Sequence, residues 1–272
     1  MEYEIKPKSR IKIDLSELWA FRELLYFFTW RDVKIKYKQT VLGALWAILQ
    51  PFLLMLVFTI FFSKALNIQS DTLPYPLFVY TGLILWNIFS VGISNAGNSM
   101  VNNANMIKKI YFPRLILPIS SIISTLVDFL MTFVLFIGLM IYYGIFPNVG
   151  QLLLALPLAL LITLLTTFGL GAFLSAVNVK YRDFRYVIPF LVQVLLFLTP
   201  VIYPVSIVSN EFVQQILQLN PMAGAIDILR GSFTGIYPPM AIIIQSLIIS
   251  MIMFLAGVFY FHKTEYYFAD LA

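Results

Sequence analysis

Asp128 is the one acid set well inside a long apolar run of this 272-residue chain. A carboxylate in hydrocarbon is costly to keep, so it points either to function or to a specific partner. It could handle a proton or a substrate; it could equally be structural, hydrogen-bonded across helices to Ser, Thr or Asn, since the other apolar runs offer it no cation. Asp183 stands among Lys180, Arg182 and Arg185, where a local ion pair is its expected role. The single histidine, His262, closes the last apolar run, and there is no Cys. No disulfide, thiol nucleophile or thiolate metal site is therefore expected, and zinc and haem are disfavoured. A membrane-embedded transferase would need clustered acids or a His–carboxylate set at one membrane face, and the chain offers none. Gly-Lys-Ser and Gly-Lys-Thr, the marks of a loop that cradles nucleotide phosphates, are also missing. No catalytic residue and no metal ligand is expected. Any ATP used must be bound by another polypeptide.

A second group of residues offers contact rather than reaction. Met106, Ile107, Ile110, Tyr111 and Phe112 form an apolar ridge, framed by Lys108, Lys109 and Arg114. Aromatic anchors within a charged rim suit an interface hot spot. An ordinary basic connector is the alternative. Pro113 would stop a helix there and set the start of the next apolar run. The chain also holds 25 Phe, 15 Tyr and 4 Trp. Most of these should face lipid or form interfacial belts, but aromatic faces also stack on sugar rings, and Tyr adds a hydroxyl.

The elements that must position these residues are membrane helices. Sixty per cent of the chain is hydrophobic and only 11% charged, the balance of a membrane protein. A hydrocarbon core about 30 Å thick needs roughly 20 apolar residues in a helix. Six runs qualify: 41–62, 77–99, 116–143, 152–176, 186–207 and 240–261. Pro51, Pro118, Pro157 and Pro189 fall within them and suggest kinks or helix starts. The charged start is not a cleavable signal peptide, so the first run is expected to serve as its own insertion signal.

Lys64 and Arg230 apart, all of the 18 lysines and arginines fall on one side of a six-span arrangement. The positive-inside rule makes that side cytoplasmic, with both termini inside. The same bias accounts for the basic residues without invoking nucleic acid. Three parts follow: a cytoplasmic segment at 1–40, a six-span domain at 41–262, and a tail at 263–272.

Residues 14–38 read as an amphipathic interfacial helix opened by an Asp14–Glu17 capping box. Leu15, Leu18, Trp19, Leu24, Leu25, Phe27 and Phe28 supply its apolar face, and its lysines and arginines can reach anionic headgroups. A soluble amphipathic helix packed on a partner is the other reading. Between the fifth and sixth runs, 208–238 holds two pieces of about ten residues, too short to span and suited to re-entrant or surface helices.

Four blocks resemble the permease subunits of polysaccharide-exporting ABC transporters of the type-2 exporter group, which export O-antigen, capsular polysaccharide and teichoic acid. They are Arg31-Asp32-Val33-Lys34-Ile35-Lys36-Tyr37-Lys38-Gln39-Thr40, followed by Leu42-Gly43, Trp46 and Gln50-Pro51; Asn103 to Arg114; Asn178 to Tyr186, leading to Thr199-Pro200-Val201-Ile202-Tyr203-Pro204; and Leu219-Asn220-Pro221-Met222 with Arg230 downstream. They run in family order through nearly the whole chain. The resemblance implies an all-α, six-span protomer that pairs with a second copy in the bacterial inner membrane. Each copy would dock an ATP-binding subunit, which carries the ATP and Mg, through a coupling helix at 100–115 that includes Met106, Ile107, Lys108, Lys109, Tyr111, Phe112 and Arg114. It further implies an entrance for a lipid-linked glycan near Trp19, Arg22, Trp30, Arg31, Lys34, Lys36, Tyr37 and Lys38. Pathway or gate positions are expected at Trp46, Phe197, Tyr203, Phe212, Met222 and Arg230, with the 208–238 pieces as gate helices. Type-2 exporters of drugs or haem share the six-span plan and are the nearest rival. An ion-coupled secondary transporter is less favoured, because the spans lack the charges it would need.

Overall fold

The computed structural model describes residues 15–38, 43, 45–65, 73–181, 183–265 and 268. Asp14 of the expected capping box, residues 39–42 at the start of the first run, Arg182 and most of the tail lie outside the described residues. Every regular element among those described is helical. A short α1 (Leu15–Ala20) leads into α2 (Arg22–Tyr37), and Phe21 between them bends the segment read as one helix. There follow α3 (Leu45–Phe58), running on in wider turns through Thr59–Ala65, and α4 (Tyr75–Asn102). A single turn, α5 (Ala104–Ile107), comes before α6 (Ile116–Tyr143) and α7 (Val149–Lys180). The chain ends with α8 (Phe184–Leu198), α9 (Glu211–Gln218), α10 (Pro221–Thr234) and α11 (Met240–Glu265).

Among the described residues five helices are long and apolar enough to cross a membrane: Leu45–Ser63, α4, α6, α7 and α11. The run at 116–143 coincides with α6, and 240–261 lies within α11. The expected fifth run, 186–207, is not one helix: α8 covers 15 residues and stops at Leu198. Thr199 precedes Pro200 and takes extended backbone angles (φ −104°, ψ 133°), because the proline ring disfavours helical geometry in the residue before it. At about 1.5 Å per residue, α8 is roughly 22 Å long, short of a full crossing.

The centre of the bundle is α4, whose apolar length is largely buried, whereas α3 is mostly exposed. α7 packs on α4, α10 and α11, while α2 lies along α6. Helices in lipid gain little from burying apolar surface and associate through close packing. Here α7 and α11 meet backbone to backbone. A Cβ placed on Gly257 would overlap the Gly169 carbonyl, and one on Gly169 would overlap the backbone at Met253. Hydroxyls within these helices mostly bond to their own helix: Ser124 to the Ser121 carbonyl at 2.7 Å, Thr125 to Ile122 at 2.7 Å and Thr132 to Phe129 at 2.9 Å. These hydroxyls are thus satisfied inside their own helix.

Candidate functional site: the 103–114 corner and a polar furrow

The corner between α4 and α6 is made of one helical turn, two further turns and an extended stretch through Tyr111-Phe112-Pro113. The expected apolar ridge is split by this geometry. Ile107 and Phe112 turn inward and are buried in a cluster with Phe28, Met100, Leu115, Ile116, Phe261 and Phe268. Ile110 and Tyr111 face outward, 59% and 72% exposed. Lys108 and Lys109 are exposed beside them, while Met106 and Arg114 are half-buried. The corner therefore has an inner face that holds it down and an outer face that is exposed.

Several side chains fasten it. The Tyr111 hydroxyl donates to Glu17 Oε1 at 3.0 Å. Phe112 meets Phe28 edge-on at 5.7 Å. Arg31 donates to Asn103 Oδ1 at 2.9 Å, pairs with Asp32 at 2.8 Å and lies over the Phe28 ring at 4.8 Å. From the other end of the chain, the Glu265 carbonyl accepts from Arg114 Nη1, and Glu265 Oε2 lies 3.1 Å from His262 Nδ1.

The α1–α2 candidates fall into two sets. Trp19 and Trp30 are exposed, 71% and 56%, and Arg22 stacks over Trp19 at 5.7 Å. Lys34 and Lys38 are exposed as well. Lys36 and Tyr37, however, turn toward α6, and both donate to the Asp128 carboxylate. The buried acid thus has a cation, but from α2 rather than from another span. The hydrogen bond expected from a Ser, Thr or Asn across helices is made instead by the Lys36 ammonium and the Tyr37 hydroxyl. Burial first, and Asp128 second, push the Tyr37 hydroxyl well above the ordinary phenol range, so it remains a donor.

A second feature lies on the exposed side of α4. Gln50, Pro51 and Leu54 of α3, Leu83, Trp86, Asn87 and Ser90 of α4, and Val192, Gln193 and Leu196 of α8 line a cavity of about 190 Å³. Three amides and a serine meet there with no charge among them. Each interrupts an apolar run in the sequence, and that interruption is the signal that could have singled out Asn87, Ser90 and Gln193. Of the expected pathway positions, none lines this furrow. Trp46 lies one turn before Gln50 on α3 and is 51% exposed, and Phe197 follows Leu196 and is 54% exposed. The Tyr203 hydroxyl donates to the Phe197 carbonyl at 2.9 Å, and Phe212 is 68% exposed.

Met222 and Arg230 are buried in the bundle. Arg230 is 6% exposed and donates to the carbonyls of Pro200 (2.9 Å), Val201 (2.8 Å) and Phe78 (3.1 Å), with its guanidinium 3.5 Å from the Phe78 ring centre. It meets carbonyls beyond the broken end of α8. Among the described residues no three His, Cys, Asp or Glu gather as metal ligands.

Long apolar helices around a buried α4, with a fastened corner at one end, define a multi-pass helical membrane protein. Residues 23–234 match the ABC-2 type transporter family, and the chain belongs to it. It is 31% identical to the O-antigen export system permease protein RfbA of Myxococcus xanthus over 80% of this chain and 82% of the relative. A protein of the same name from Klebsiella pneumoniae is 29% identical over 96% and 98%. The polysialic acid transport protein KpsM of Escherichia coli is 27% identical over 74% and 77%. Membership implies partnership with an ATP-binding subunit.

Proposed function

We infer that this chain is the membrane-spanning subunit of an ATP-driven exporter that carries lipid-linked polysaccharide, O-antigen or a similar polymer, across the bacterial inner membrane. The furrow carries the reading. Neutral amides can exchange hydrogen bonds along a hydroxyl-rich chain without the deep wells that charges would create. The open side of the furrow, between two lightly held helices, suits closure by a second copy into a central pathway.

In this reading α8 and the turns after it make a sixth crossing, both termini are cytoplasmic, and Lys108, Lys109, Arg114, Lys180 and Arg185 share the cytoplasmic side. Each copy of a homodimer docks one ATP-binding subunit on the outer face of the corner, around Ile110 and Tyr111. That subunit binds ATP and Mg, and its closure pushes the corner. The helices bordering the furrow then part and the polymer moves outward. This chain contributes a pathway and a lever, with no catalytic residue.

Deletion of the gene tests the reading directly. Surface polymer should vanish while its lipid-linked form accumulates in the inner leaflet. Intact surface polymer without internal build-up would overturn the assignment.

A further inference from the structure

The N-terminal helices lie along α6 and pack Leu18, Phe21, Leu24 and Leu25 onto the corner cluster, and two of their polar contacts are specific. At one end, Glu17, Phe28 and Arg31 hold Tyr111, Phe112 and Asn103 of the corner. At the other, Lys36 and Tyr37 hold Asp128. Asp128 lies 12 residues into α6, roughly 18 Å along its axis from Ile116. A 16-residue helix such as α2, roughly 24 Å long, bridges that interval as a stiff rod. α6 also begins just after the corner, so the corner reaches the middle of α6 by two routes: through α6 itself and through α2.

We propose that Asp128 is a positioning residue for transport: it receives, through Lys36 and Tyr37, the displacement of α2 when the corner is pushed, and so times the movement of α6 with that of the motor. At the Asp128 end the polar attachment is made by side chains and to one carboxylate. Side-chain contacts of this kind can shift register without breaking a helix, and Lys36 stays 40% exposed, with water or headgroups available when it lets go. Asp128 is 3% exposed, so a released carboxylate has no comparable refuge, which biases α2 to return.

The inference rests on the corner being the surface that the ATP-binding subunit pushes, and the test separates the two. Asp128→Leu and Lys36→Leu are made singly in the full chain and purified with the ATP-binding subunit. Complex recovery and ATP hydrolysis should stay within about twofold of the parent, while polymer exported per ATP falls about tenfold, an ordinary size for coupling between sites. Lys36→Arg, which keeps the cation, should restore export per ATP. Normal export per ATP in either Leu variant overturns the proposal. So does a parallel loss of assembly, hydrolysis and export in both, which would make the contact merely structural. Tyr111→Ala is read by recovery of the ATP-binding subunit: normal recovery sinks docking at the corner, and leaves the Lys36–Asp128 measurement to be judged by its own ratio.

Discussion

Arg230 and Asp128 are both charges buried inside the helical bundle, yet they are held by different kinds of partner. Arg230 is held mainly by backbone: carbonyls of Pro200, Val201 and Phe78 accept from it and the Phe78 ring lies beneath it, with the Asp227 carboxylate 3.5 Å away on its own helix. Backbone carbonyls cannot turn away on their own, so the site that holds Arg230 moves only with the α8–α9 connection or with α4. Asp128 is surrounded by side chains of one neighbouring helix. Those can rotate, and the helix that bears them can slide. The first arrangement fixes a geometry, and the second transmits one. Burial of a charge does not by itself tell which use it serves; the chemical type of the partner does.

The comparison can be broken by substitution. Arg230→Leu should have the largest effect, because it leaves buried carbonyls without a donor, at about 1–3 kcal/mol for each unsatisfied group. Little monodisperse protein should survive extraction, and a well-behaved Arg230→Leu protein would contradict its role as a clamp. Arg230→Lys comes next. A single ammonium cannot fork to carbonyls on both sides as a guanidinium does, so the thermal midpoint should fall, with recovery intact.

Asp128→Asn should be milder still in stability, about 1 kcal/mol, since the amide still accepts from Tyr37 and loses only the charge. If its thermal midpoint drops as far as that of Arg230→Leu, the two sites are alike and the distinction fails. Tyr37→Phe should be the smallest, removing one donor while Lys36 stays, with a stability change of about 0.5 kcal/mol. It sharpens the comparison if export per ATP declines more than stability does.

Much of this architecture was legible from hydrophobic runs alone. Apolar length located α6 and α11 to within a few residues, because in lipid every backbone group must be satisfied by a continuous helix. The stop at Leu198 was written in Thr199-Pro200, yet apolar residues continue beyond it and concealed it. Periodicity also gave α2 its apolar face, but says nothing about what the face lies on. The Lys36–Asp128 contact joins residues 92 apart in sequence, beyond any local pattern. Arg230, expected near a pathway, is instead enclosed. Nothing local shows that the helix broken at Thr199 places carbonyls within its reach. In sequence, Met106, Ile107, Ile110, Tyr111 and Phe112 form one apolar ridge, whereas the tight turns there aim Phe112 inward and Tyr111 outward.

The backbone contact between Gly169 and Gly257 bears on how such a protein can move. Where two helices touch through side chains, rotamers can rearrange and the helices can slide past one another by small steps. Where main chain meets main chain, nothing soft lies between them, so α7 and α11 lose their independent degrees of freedom and travel as one body. Any widening of the molecule must then come from the loosely packed members, α3 and α8. The two missing Cβ atoms decide which half of the protein is the frame and which half is the door.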